Sequence, residues 1–187
     1  MKKIIALFMM VAMITLMTSV ASAATVEEKK QSVRKAVEDT LDRLYKVQPD
    51  ARDAVENYAG YAVFNDISTK LFITGGGKGK GIAVNNNDKT EIFMRMAEVQ
   101  FGLGFGIKEY SVIFVFETED ALNTFVHQGW EFGGQATLAA TDKVNGGSLQ
   151  GAVSASPGVW MYQLTTKGLA AEITAKGTRY YKDSDLK

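Results

Sequence analysis

The stretch Val99-Gln100-Phe101-Gly102-Leu103-Gly104-Phe105-Gly106-Ile107 decides how this chain is read. Apolar side chains recur at every second residue, the period of a strand rather than of a helix. Glycines fill most of the positions between them, and a bare glycine face weakens a strand unless something approaches it closely or the sheet bends there. Gly102, Gly104 and Gly106 are therefore candidates for a ligand groove, with aromatic packing or sheet bending as the alternative. The run 112–116 is apolar at every position and reads as a central strand covered on both faces.

Downstream, Thr118 with Glu119 and Asp120 behind it predicts a capped helix, with Leu122, Phe125 and Val126 as its buried stripe and Gly129 as its stop. Strand candidates follow around 135–140, 159–164, 169–174 and 178–181. Upstream, 61–64, 71–74, 81–84 and 92–97 read as short strands, with Asn85-Asn86-Asn87-Asp88 as a turn. Two helices precede them. A capping box at Thr25 and Glu28 opens the first, along which Val33, Val37, Leu41 and Leu44 recur at helical spacing; the second runs from Pro49 to Tyr58. The class is α+β: N-terminal helices, then a strongly curved, largely antiparallel sheet, barrel- or sandwich-like, with one inserted helix.

The chain opens Met1-Lys2-Lys3, continues with an apolar run from Ile4 to Leu16 and reaches Ala21-Ser22-Ala23. This is the pattern of a secretory signal peptide cleaved after Ala23. Residues 1–23 are thus expected to be removed, leaving 24–187 as a single domain, helical over 24–60 and β-rich over 61–187. The expected location is the periplasm or the exterior, with peripheral membrane attachment allowed. Without cysteine the chain is not a lipoprotein.

The 187 residues hold 21 Lys and Arg against 21 Asp and Glu, no cysteine and one histidine, His127. Neutral charge argues against a nucleic-acid binder. Missing cysteine and a single histidine leave little for zinc, metal clusters or thiol catalysis, so neither metal nor cofactor is expected. His127 has no partner motif, and a Glu131–Glu172 carboxylate pair is no more than background. The expectation is a protein that is not an enzyme.

Thr74-Gly75-Gly76-Gly77-Lys78-Gly79-Lys80-Gly81 resembles a phosphate loop but misses its spacing, since Thr74 and Phe72 stand where the leading glycine belongs. Two lysines among unobstructed backbone N–H groups remain, a candidate anionic-headgroup site at Lys78, Gly79, Lys80 and Gly81. The alternative is a hairpin tip with solubilising lysines. Trp130, Phe132, Trp160, Tyr162, Tyr180 and Tyr181 offer either an interfacial belt or ordinary core.

Five motifs in order, spread over about two thirds of the chain, resemble the SYLF-domain family, closest to its exported bacterial branch. They are Gly60-Tyr61-Ala62-Val63-Phe64; Gly76-Gly77 followed by Gly79-Lys80-Gly81; Phe101-Gly102-Leu103-Gly104-Phe105-Gly106; Glu131-Phe132-Gly133-Gly134-Gln135-Ala136; and Lys167-Gly168-Leu169. The resemblance implies a non-enzymatic lipid-binding domain; eukaryotic members bind phosphoinositides, and some, in yeast actin patches, bind or bundle actin. For an exported bacterial chain the implied partner is anionic phospholipid at a membrane surface, with Lys70 a weaker companion to Lys78 and Lys80. Asn65 departs from the family's usual proline, and Ile107-Lys108-Glu109 from its glutamine-rich segment. Two other readings stand beside this one: an envelope protein-interaction or structural module, and a carrier enclosing an apolar ligand in its curved sheet.

Overall fold

Along 62–66 the chain alternates strictly, and both alternating sets are buried against something different. Ala62, Phe64 and Asp66 face one way while Val63 and Asn65 face the other. A strand patterned like this must carry a layer on each face. The computed structural model describes the backbone of residues 2–71, 74–101, 106–138, 147–169 and 173–187, and the side chains of 25–66, 75–99, 109–131, 147–169 and 177–187.

The elements run α1 (Lys2–Val47), α2 (Ala51–Asn57), β1 (Gly60–Leu71), β2 (Thr74–Asn85), β3 (Glu91–Phe101), β4 (Gly106–Phe116), α3 (Glu119–Gln128), β5 (Trp130–Leu138), β6 (Val153–Ser156), β7 (Val159–Thr165), β8 (Gly168–Leu169) and β9 (Ile173–Lys182), closed by a 3-10 turn at Ser184–Leu186. The strands form one antiparallel sheet in the order β5-β9-β3-β2-β1-β4-β7-β6, with β8 beside β7. It curls into a half-barrel whose end strands β5 and β6 come near each other without pairing.

On the outer face, Val33, Val37 and Leu44 of α1 and Ala51, Ala54 and Val55 of α2 pack over Val63, Ile82, Val84, Ile113 and Val115. A polar pin holds α1 in its C-terminal third. The hydroxyls of Thr40 and Ser111 reach Asn65 Oδ1 at 2.8 and 2.6 Å, and Asn65 Nδ2 donates to the Ala36 carbonyl at 3.1 Å. Proline at this position would have no side-chain polar group to offer, so Asn65 is a local substitution with a structural job.

The inner face holds α3. Leu122, Phe125 and Val126 are buried, as the sequence predicts, against Phe64, Phe114, Phe116, Met94, Met96 and Tyr180. Thr118, in extended conformation, accepts from Ala121 N–H at 3.3 Å, and Gly129 ends the helix at φ 71°. Thr118→Ala is expected to lower stability by about 1 kcal/mol, with Thr118→Ser close to wild type, as read from urea midpoints.

Four sequence expectations change. The single strand expected over 71–74 is divided between two: Leu71 ends β1, Thr74 begins β2, and the two residues pair, with 72 and 73 outside the described residues. The long strand expected over 99–107 is divided, because β3 ends at Phe101 and β4 begins at Gly106, running the opposite way. Period-two alternation survives such a reversal when both arms are strands, so it conceals the break. Gly102 and Gly104 lie outside the described residues. Thr25 does not start a helix, since α1 passes through it; the Ala-, Leu- and Met-rich segment before it is itself strongly helix-forming. Finally, β6 and the closing 3-10 turn have no counterpart in the sequence reading.

Candidate functional site

The Gly-Lys segment is not a loop tip but the interior of β2, paired on both sides, to β1 and to β3. Its backbone amides are committed to those ladders, so they do not form the anion cradle the sequence suggests. Strand alternation then sorts its residues. Gly77, Gly79 and Gly81 are buried on the α3 side, while Lys78 and Lys80 are exposed on the other. At Gly79 a Cβ would lie 2.7 Å from the Asn65 carbonyl oxygen; at Gly81 it would run into the Val63 carbonyl and the Phe64 ring. These two glycines let β2 coil tightly against β1.

The lysines gain neighbours that sequence reasoning missed. Register places Lys78 opposite Ala97, and Ala97 opposite Arg179. The next row is Lys80, Arg95 and Tyr181. Directly opposed residues share a face with Cβ atoms about 5 Å apart, so β2, β3 and β9 present one surface carrying four cations, Lys78, Lys80, Arg95 and Arg179. Val99 stands on the same face of β3 as Ala97 and is 51% exposed; Tyr181 is 37% exposed. Those two and Val47 are the exposed large apolar side chains among the described residues.

Arg95 is already engaged. Its Nε lies 2.8 Å from Asp183 Oδ2 and its Nη2 2.5 Å from Asp185 Oδ2; these two carboxylates raise its pKa. Glu131 on β5 stands opposite Arg179 and is the acidic boundary of the patch. Described side chains of α1 cover the sheet along a diagonal, from Arg34 over the Phe93 ring to Arg43 donating to the Thr165 carbonyl. The Lys78–Arg179 region lies off that line. The signal for Arg179 and Tyr181 was present in the alternation of 178–181, but which strand β9 would join was not.

The remaining candidates disperse. Lys70 pairs in register with Gly75 and Gly106, in the other alternating set from Lys78 and Lys80, and its side chain lies outside the described residues. Gly106 is the first residue of β4. Of the six aromatics, Tyr162 and Tyr180 are core and Trp130 joins the rings around Phe114 and Phe125. Trp160 donates to Glu117 at 2.7 Å, the Phe132 side chain lies outside the described residues, and Tyr181 alone of the described ones is exposed beside the lysines. His127 Nδ1 lies 3.0 Å from Lys182 Nζ and meets no carboxylate or hydroxyl among the contacts seen; Glu172 lies outside the described residues.

A buried polar cluster also went unseen in the sequence. Asp66, Glu98 and Thr178 are buried on the inner face beside Tyr110 and Tyr180. The Tyr110 hydroxyl donates to Glu98. Burial, reinforced by that bond and by the charge on Asp66, pushes the Tyr110 hydroxyl far above its ordinary range. Among the described residues no three acidic or histidine side chains gather to hold a metal ion, and no helix is long and apolar enough to cross a membrane.

A curled antiparallel sheet with α1 and α2 outside, α3 inside and glycines at its tightest joint is the architecture on which these motifs sit. Residues 97–187 match the family model described as Ysc84, Las17-binding protein actin regulator. The chain is also 29% identical over 169 residues to Beta cell expansion factor A of Aeromonas veronii, a match covering 87% of this chain and 60% of that protein. The chain thus spans about 60% of the length of that relative. Over residues 97–187 the chain is thus similar to the SYLF-domain family, known as lipid-binding domains and not an enzyme family.

Proposed function

We propose that this protein is a non-enzymatic lipid-binding module of the bacterial cell envelope, exported by its first 23 residues and docking on anionic phospholipid. The docking surface is the face of β2, β3 and β9 where Lys78, Lys80 and Arg179 surround Val99 and Tyr181. One observation carries this reading: exposed apolar side chains and cations stand on one side of one sheet, off the line of α1. Tyrosine suits a membrane interface because its ring is apolar and its hydroxyl is wet. Each cation near an anionic membrane contributes about 1 kcal/mol, so the three give reversible, salt-sensitive attachment.

The test is co-sedimentation of the mature protein with vesicles of phosphatidylglycerol and phosphatidylcholine. Wild type is expected to pellet at low salt and release at high salt, and the triple variant Lys78→Ala/Lys80→Ala/Arg179→Ala to bind about 100-fold more weakly. Equal pelleting with pure phosphatidylcholine, or an unaffected triple variant, overturns the surface. Indifference to every vesicle favours the protein-interaction module instead.

A further inference from the structure

Where α1, α2 and the adjoining ends of β1 and β2 meet, they frame an open cavity of about 530 Å³. Leu41, Val55 and Val84 line it together with the polar Asn57 and Asn86, and the rings of Tyr45 and Tyr61 stand as its walls. Carboxylates reach its rim from two helices, Glu38 and Asp42 from α1 and Glu56 from α2. Concave, largely apolar sites with a few converging polar groups are the usual form of small-molecule pockets.

The structure assigns this cavity to a small organic cation, one with amino or guanidino groups separated by an apolar spacer, as in polyamines. The chain itself shows the chemistry. The guanidinium of Arg52 lies 4.2 Å from the centre of the Tyr45 ring and 2.9 Å from Glu56 Oε1, so one wall already holds a cation by ring face and carboxylate together. Cations over tyrosine faces are attracted by the ring quadrupole, more strongly as water is excluded.

On the opposite wall no cation lies over the Tyr61 ring among the described residues, although Arg34 Nε holds the nearby Glu91 at 2.8 Å. Tyr61 lies half-buried within the influence of Glu91, Glu56 and Glu38, which together with burial raise its pKa. Tyr45 is pushed up to about 12, first by burial and then by Glu56, with Arg52 opposing and Asp42 adding to it. Glu38 and Asp42 take part in no ion pair among the described residues, and theirs are the charges an incoming cation would meet. Lys89 is the opposing charge on the rim. The carboxylates are spread around the mouth rather than converging on a point, which suits separated ammonium groups better than a metal ion. The site is distinct from the Lys78–Arg179 surface in charge and in place.

Isothermal titration of the mature protein with spermidine tests it. One saturable site is expected, and Glu38→Gln/Asp42→Asn should weaken it about ten-fold or more, because two of the three rim charges are lost. Both residues are on the helix surface, so circular dichroism should be unchanged. Tyr61→Phe should stay within about two-fold of wild type, since the ring face is kept, while Tyr61→Leu weakens binding. The Lys78→Ala/Lys80→Ala/Arg179→Ala variant should bind spermidine normally, which separates this site from the lipid surface. Absence of saturable binding, an unaffected Glu38/Asp42 variant, or magnesium chloride binding as tightly as spermidine overturns the assignment.

Discussion

Phe114→Ala is expected to cost about 3–5 kcal/mol of unfolding free energy. Phe114 is fully buried in the middle of β4, and its ring meets Tyr180 at 5.0 Å, edge-on, Phe125 at 5.2 Å and Trp130 at 5.6 Å between centres. Those partners come from β9, α3 and β5, elements far apart in sequence, so no single one of them can move in to fill the space. The loss joins a transfer term to a cavity that cannot collapse, and the edge-to-face contacts vanish with it. Domains of this size have only about 5–15 kcal/mol to lose. Urea unfolding followed by tryptophan fluorescence checks the result; a loss under about 1 kcal/mol would mean that α3 repacks freely, against the view of a rigid inner layer.

The second large effect is at glycine. Gly81→Ala is expected to destabilise by about 3 kcal/mol, the upper part of the range for overfilled sites. The added methyl would press on the Val63 carbonyl and the Phe64 ring, one of them backbone and the other locked among aromatic neighbours. Gly79→Ala should cost less, since its methyl would sit 2.7 Å from the Asn65 oxygen, and Gly76→Ala least, at 3.3 Å from the Glu98 oxygen. The order Gly81, Gly79, Gly76 in urea midpoints is the measurement. Equal and small effects at all three would return these glycines to a ligand-facing role.

Legibility from sequence followed the range of each interaction. Helix α3 is written locally: Thr118, the stripe Leu122, Phe125, Val126, and Gly129 specify its start, buried face and end within a dozen residues, and all take those roles. The α+β class was equally open, because helical and strand periods occupy separate parts of the chain. The break inside 99–107 was hidden, since alternation is the same on both arms of a reversal. Lys78 and Lys80 were visible as a pair, but their setting was not. Whether Gly79 faces a ligand or a neighbouring carbonyl depends on the register with β1, set by pairs such as Asn65↔Lys80, 15 residues apart. Arg179 joins Lys78 only because β9 pairs with β3, a choice made across some 80 residues. The buried Glu98–Tyr110 pair is hidden for the same reason, as both residues look like ordinary solvent-facing strand positions until the half-barrel closes over them.

The place of β9 bears on the timing of assembly. The last long strand of the chain is not at a margin of the sheet but wedged between β5 and β3, and the residues just after it fasten Arg95 through Asp183 and Asp185. Among the described residues β5 joins the sheet only through β9, and β9 joins it through β3, so this side of the half-barrel depends on pairings of long sequence separation, which are slow to form.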